Sequence, residues 1–346
     1  MNVRLATANT KVLIGVLIAA AVIVAIVAVV RLDTTGKRGS GLGKEFVYDV
    51  GDLAKIDPNL ILYKESTPAI DTGFTKTQAI AVDSEGSIYA AGDKAIRKFA
   101  ESGNLLGETR LAGMPRCLTV AGDGQVYVGF KEHLEIYDAQ GKRLATWQRL
   151  GDDAVLTSIA VSKNDVFVAD AGNRIVHHFD TTGKLINRIG ARDMDRNIPG
   201  FVIPSPYFDL AVGRDGLLRV SDPGRHRIEA YTFDGDLEFS WGGFSAGIEG
   251  FCGCCNPVNF AILADENFVT CEKGLIRVKI ADPDGAFVGV VAGPEQFVEG
   301  GASRVSEYGP GAQAGAFDVA VDTSGRIFVL DTHKGVVRIF TRKKGE

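Results

Sequence analysis

Residues 158–190 carry four short runs: Ser158-Ile159-Ala160-Val161, then Asp165-Val166-Phe167-Val168-Ala169-Asp170, then Asn173-Arg174-Ile175-Val176-His177-His178-Phe179-Asp180, and, past Thr182-Gly183, Lys184-Leu185-Ile186-Asn187-Arg188-Ile189-Gly190. Each run is rich in β-branched and aromatic residues and is bounded by Asp, Asn or Gly, the signal of short strands joined by tight turns. Val161, Phe167, Val168, Ile175 and Phe179 are the apolar positions expected between stacked sheets. The pattern returns at Ala81–Tyr89, Val120–Val128, Val212–Asp222 and Ala320–Val329, with a shortened copy at Leu263–Cys271. A repeat of roughly 40–55 residues built only of short strands is the signature of propeller blades. Six copies predict an all-β, six-bladed β-propeller.

The pattern Ala-Val-Asp-x-x-Gly-x-Ile/Val-Tyr/Phe-Val-x-Asp, then Arg-Ile/Val and Phe-Asp-x-x-Gly, is matched best at 160–183, 211–235 and 320–340, and more weakly at 79–103, 118–141 and 261–285. In these motifs the chain resembles the NHL-repeat propellers, as a bacterial, cysteine-rich, membrane-anchored variant. The resemblance covers most of residues 70–342. It implies fold rather than reaction, because lyases, lactonases and protein- or RNA-binding modules share it.

The sixth repeat ends at Phe340, before a fourth strand forms. Leu60-Ile61-Leu62-Tyr63 precedes the first repeat and has no blade of its own. The expectation is ring closure, with this early strand completing the last blade and hiding two open sheet edges. The alternative is an irregular cap over residues 46–63.

Residues 12–30 form an unbroken run of Val, Ile, Leu, Ala and a single Gly, between Lys11 and Arg31. As a helix it would span about 28 Å, enough for a bilayer core. An uncleaved anchor is expected, since the run is long for a signal peptide and ends without small residues placed for cleavage; a cleaved signal peptide is the alternative. The predicted organisation is a tail (1–11), one transmembrane helix (12–30), a flexible Gly/Ser/Thr/Lys linker (31–45), the propeller (46–342) and a short tail (343–346). Basic residues flank the helix on both sides and give no clear orientation. A single anchor before a whole β-domain favours export, so the propeller is expected on the periplasmic side of the inner membrane. The net charge of −5 and the lack of a basic run argue against nucleic acid.

In a propeller the loop leading into each blade and the loop between its second and third strands open on one face, where ligands usually bind. Repeat alignment places Cys117, Lys131, Glu132, His133, Asp170, Asn173, Arg174, Tyr207, Asp222, Arg225, His226, Arg227, Cys271, Glu272, Lys273, Asp331 and His333 there, with the whole of 252–259. All five cysteines would then share one face, four of them in the fifth blade: Cys252, Cys254, Cys255 and Cys271. Cys271 is aligned with Asp170, Asp222 and Asp331. Three readings of the cysteine cluster stay open: a structural disulfide, a divalent-metal or iron–sulfur site completed by His226 and His333, and a redox-active thiol pair at Cys254-Cys255. Cys117, across the ring, is expected to be unpaired.

His133, His226 and His333, on alternate blades, could converge on an axial ion, whereas His177-His178 on a strand read as structural. Arg225-His226-Arg227 is either a solvated turn or a small anion clamp. The function these features favour is a membrane-anchored binding or scaffolding module with a protein partner in the cell envelope. The alternative is a metal-dependent lyase or hydrolase of the six-bladed type.

Overall fold

The structure is a computed structural model that describes residues 12–24, 51–308 and 316–343. The chain divides into two units, Met1–Asp49 and Val50–Glu346. In the first, residues 12–24 are helical and exposed. Among the described residues no helix is long and apolar enough to cross a membrane. The rest of the expected anchor (25–30), the tail (1–11) and the linker (31–45) lie outside the described residues, as does the final tail from 344 onward.

The second unit consists of six four-stranded antiparallel sheets. Blade 1 contains Thr77–Val82, Ile88–Gly92, Ala95–Phe99 and Leu105–Arg110. Blade 2 contains Cys117–Val120, Val126–Gly129, Leu134–Tyr137 and Arg143–Thr146, and blade 3 Leu156–Ser162, Asp165–Asp170, Ile175–Asp180 and Leu185–Ile189. Blade 4 contains Leu210–Val212, Leu218–Asp222, Arg227–Tyr231 and Leu237–Trp241, and blade 5 Asn259–Ile262, Phe268–Glu272, Arg277–Ala281 and Phe287–Ala292. Blade 6 contains Asp318–Val321, Ile327–Asp331 and Val336–Arg342, and its outer strand is the early segment Tyr63–Asp71. The first strands of the six blades abut one another in order round a central axis, the sixth returning to the first.

Ring closure is therefore made by the N-terminal segment, but later in sequence than expected. Tyr63 pairs with Arg342 and Asp71 with Val336. Of Leu60–Tyr63, only Tyr63 belongs to the closing strand. Ile61 bridges Val290 of blade 5 instead, and the Leu62 carbonyl accepts the Lys343 amide. The segment thus straddles the join between blades 5 and 6.

Strand periodicity explains the core. Successive side chains of a strand face opposite sides, so each blade presents one apolar face to each neighbour. Val166 and Val168 pack with Tyr127 and Ile136 of blade 2. Phe167 points the other way and packs with Leu218 and Tyr231 of blade 4. Six such clusters occur among the described residues, one at each blade junction. Burying one such Phe or Val contributes about 1.5–3 kcal/mol. The outer strands of blades 1 to 4 carry little of this, that of blade 1 being almost wholly exposed, whereas the outer strand of blade 5 buries Val290, Val291 and Ala292.

The acidic turns have a shared mechanism. Asp180 Oδ1 accepts the amides of Thr182 and Lys184, and Asp138 Oδ1 those of Gln140 and Lys142. Gly183 closes the first of these turns at φ +88°, a left-handed conformation in which a Cβ would also strike Trp147 at 2.8 Å.

Candidate functional site

The loops leading into the blades surround a funnel of about 460 Å³ at one end of the axis. All six blades contribute to it: Gln78, Arg116, Thr157, Tyr207, Asn259 and Asp318, with Lys76 and His333 at the margin. Among the described residues no hydrogen bond or ion pair engages the side-chain nitrogens of Lys76 or Arg116.

Polar side chains beside this wall also tie the blades together. Thr157 Oγ1 donates to the Phe208 carbonyl at 2.6 Å, linking blade 3 to blade 4. Asp209 Oδ2 accepts the Phe260 amide at 2.7 Å, and Asn259 Nδ2 donates to the Phe317 carbonyl at 2.7 Å. Asp318 Oδ2 accepts the Ile80 amide at 2.8 Å, joining the last blade to the first. Burial pushes the Asp209 carboxyl up to about 6, against hydrogen bonds that lower it. Burial, then the nearby Asp209 charge, pushes the Asp318 carboxyl up to about 7. Asp318 is only half-buried, so its solvent-exposed part opposes some of that push. These residues did not stand out in the repeat pattern. Their signal was present, since Phe208-Asp209-Leu210-Ala211-Val212 and Phe317-Asp318-Val319-Ala320-Val321 are near-copies.

The acidic residues singled out from sequence serve as loop staples. Asp170 accepts the amides of Val155, Gly172 and Asn173, and also contacts Asn173 Nδ2 and His177 Nε2. Burial opposes ionisation of Asp170, but the His177 and Asn173 hydrogen bonds outweigh it and hold the carboxyl at about 2. Asp222 accepts the Val202 amide and pairs with Arg225. Burial and then the Glu229 charge raise its pKa. Asp331 accepts the amides of His333 and Lys334.

Strand register corrects the alignment in blade 5. Asp170 pairs with Ile175, Asp222 with Arg227, Asp331 with Val336 and Glu272 with Arg277. Glu272, not Cys271, occupies the acidic position, and it repeats the staple by accepting the Cys252 amide at 2.7 Å. Cys271 points the opposite way, into the apolar junction of blades 5 and 6. Cys117 is likewise buried, between blades 2 and 3. Neither lines the funnel, and Cys252 packs from its loop against the junction that holds Cys271. Burial drives both thiols well above the usual range.

All five cysteines are free thiols. Among the described residues the vicinal pair alone is in sulfur contact, with Cys254 Sγ and Cys255 Sγ 3.3 Å apart. Among the described residues no group of three or more His, Cys, Asp or Glu is arranged to hold a metal ion. The donor set therefore does not fit the divalent metal or iron–sulfur centre considered from sequence.

The histidines do not converge. His333 lines the funnel, whereas His133 stacks on Phe130 at 4.8 Å beside a separate cleft. His226 stands against Phe244, with ring centroids 5.4 Å apart. His177 and His178 are buried and bonded to Asp170 and Asp165, as structural residues should be. Arg225 and Arg227 are occupied by Asp222 and Glu229 and form no anion clamp.

No protein-family model matches the sequence, and no curated protein matches it. Solved structures do. The streptogramin B lyase structure superposes with a TM-score of 0.56 at 9% identity, covering 81% of this chain and 98% of that one. A catalytically inactive histidine-to-alanine variant of virginiamycin B lyase from Staphylococcus aureus, with quinupristin, gives 0.56 at 14% identity, covering 81% and 100%. The WD40 propeller domain of Doa1 gives 0.52 at 18% identity, covering 78% and 79%. At such identities the likeness shows the propeller fold alone. It does not distinguish the NHL repeat from other propeller repeats.

Proposed function

We propose that the chain is a binding module: a propeller tethered by residues 12–30 to the inner membrane, exposed on the periplasmic side, and serving a protein partner in the cell envelope. Its ligand face is the axial funnel. The observation that carries this reading is the convergence of polar side chains from all six blades on one concavity, with Lys76 and Arg116 uncommitted. Two cations around a half-buried, raised-pKa carboxyl suit a small polar ligand bearing negative charge. A thermal-shift panel of carboxylates and phosphate esters on the full chain in detergent tests it. At least one compound should stabilise the wild type and lose that effect in Arg116→Ala. A panel with no response, or one unchanged by Arg116→Ala, overturns the funnel as the ligand site.

A second reading is a lyase or hydrolase. It is favoured by His333 and Asp318 lining the same funnel, where a carboxyl near 7 suits proton transfer. Two structural neighbours are, by their names, a streptogramin B lyase and a virginiamycin B lyase. Turnover abolished by Asp318→Asn with ligand binding retained would select it.

A further inference from the structure

The fifth blade carries a feature that ligand binding does not need. Cys254 is exposed, Cys255 is only 2% exposed, and their sulfurs lie 3.3 Å apart. The segment that holds them is fixed on both flanks. Upstream, Glu272 accepts the Cys252 amide. Downstream, Asn256 is buried and bonds the backbone of Lys273 in both directions, Oδ1 to its amide at 2.9 Å and Nδ2 to its carbonyl at 3.0 Å. Asn256 Nδ2 also reaches back to the Cys252 carbonyl. Gly253, at φ +90°, makes the bend that a side chain would strain.

We infer that Cys254 and Cys255 form a redox-active dithiol that exchanges with disulfides presented at the rim of the axial funnel. The inference is independent of the binding proposal. The sulfurs need to close from 3.3 Å to about 2.05 Å for a bond. Cys117 and Cys271 are sealed in apolar junctions and take no part. Ser205, Pro206 and Tyr207 connect the pair to the funnel, since Pro206 and Tyr207 line it. The buried Ser205 hydroxyl lies beside the Cys255 sulfur and, by donating toward it, favours its thiolate. Lys273 acts on Cys255 in the same sense, with its ammonium 4.8 Å from the Tyr207 ring. Burial, the larger effect, raises the Cys255 thiol, so the exposed Cys254 is the group presented for attack.

The exchange balances as follows. Cys254, as thiolate, attacks one sulfur of the incoming disulfide. That disulfide bond breaks, a mixed disulfide forms on Cys254, and the first leaving thiolate takes up a proton. Cys255 then loses its proton and attacks the Cys254 sulfur. The mixed disulfide breaks, the Cys254–Cys255 bond forms, and the second thiolate leaves and is protonated. Two protein thiols are oxidised and one disulfide becomes two thiols. A vicinal disulfide is strained, so the oxidised form is readily reduced again.

The test equilibrates the full chain, in detergent, with reduced and oxidised glutathione at several ratios, then alkylates and maps each cysteine by mass spectrometry. In the oxidising buffer, Cys254 and Cys255 should lose two hydrogens between them and escape alkylation, while Cys252 and Cys271 remain reactive after unfolding. Reduced glutathione should restore both. Cys255→Ser should trap glutathione on Cys254, prolonging the mixed disulfide at least about tenfold because the resolving thiolate is gone. Cys254→Ser should abolish both products, and Cys117→Ser should change neither. A parallel arm with a disulfide-bonded peptide shows whether protein disulfides are taken as well as small ones. A bond mapped to Cys252, glutathione persisting equally in wild type and Cys255→Ser, or no oxidation at any ratio would overturn the inference.

Discussion

The carboxylate of Asp318 accepts the backbone amide of Ile80 at 2.8 Å, across the seam where the last blade meets the first. One atom thus joins residues 238 positions apart in sequence, at the wall of the funnel. Asp209 makes the same kind of bond at the junction of blades 4 and 5, to the Phe260 amide of the cysteine blade. Ring integrity and the electrostatics of the candidate site therefore rest on the same side chains.

That coupling gives a pH signature. The folded-state pKa of Asp318 is raised by burial and by Asp209 to about 7, above its unfolded value near 3.9. A raised carboxyl contributes stability that is complete below the unfolded value and is lost as pH climbs through the folded one. Asp318→Asn keeps an oxygen to accept the Ile80 amide and removes the titration. Urea denaturation should show the variant more stable than wild type near about pH 8, by on the order of 2 kcal/mol, with the gap closing near about pH 4. A gap independent of pH would mean that the carboxyl is not titrating in this window.

The fold was legible because each blade repeats the same local chemistry: acidic turn, glycine at positive φ, and apolar residues at period two. The closing strand was placed too early because Leu60–Leu62 is the apolar run, whereas Tyr63–Asp71 carries Lys64, Glu65, Ser66 and Pro68 and is recruited by pairing with Val336–Arg342. The site was harder. A one-residue shift in aligning Cys271-Glu272 exchanges the loop-facing position for the junction-facing one, because strand side chains alternate. Histidines spaced round the ring did not converge because each found a local partner in Phe130, Phe244 or the funnel margin. Asp209 and Asp318 sit where strands begin, and only the ring brings them near each other.

The closing strand should be indispensable. Its removal, by deleting residues 51–71, exposes the edge of Val336–Arg342 and the apolar flank formed by Val337 and Ile339. Size-exclusion chromatography should show aggregates in place of a single species. A milder probe is Glu65→Ala, which breaks the paired contacts to Arg338 at 2.7 and 3.1 Å. That pair is partly exposed, so the expected loss is about 1–2 kcal/mol.

The tether makes a separate prediction. If residues 12–30 anchor the chain, N-terminal sequencing of the membrane-extracted protein should begin before residue 12. An alkaline phosphatase fused after Glu346 should be active in intact cells. A mature N-terminus past residue 30 would identify a cleaved leader, and a reporter active only in the cytoplasm would reverse the orientation.

The most severe single substitution should fall on Glu272. Its carboxylate is fully buried and takes a two-point contact from Arg277, at 2.9 and 2.7 Å, with Lys279 at 3.1 Å. Arg277 and Lys279 are themselves buried, and their remaining protons go to the carbonyls of Gly247, Ile248 and Gly250 in the loop before the cysteines. Glu272→Gln leaves two buried cations without their counter-charge, a change that costs about 3–5 kcal/mol where one partner of a buried pair is removed. It also weakens the acceptor that holds the Cys252 amide, so the loop over it should loosen. Two readouts follow: a large fall in denaturation midpoint, and faster alkylation of Cys255 in the folded protein. Replacing the three charged groups together with apolar residues of similar volume should recover much of the stability but not the protection of Cys255, because the loop carbonyls and the Cys252 amide would still lack their partners. Full protection in that triple variant would show that packing alone, and not the Glu272 staple, holds the cysteine loop.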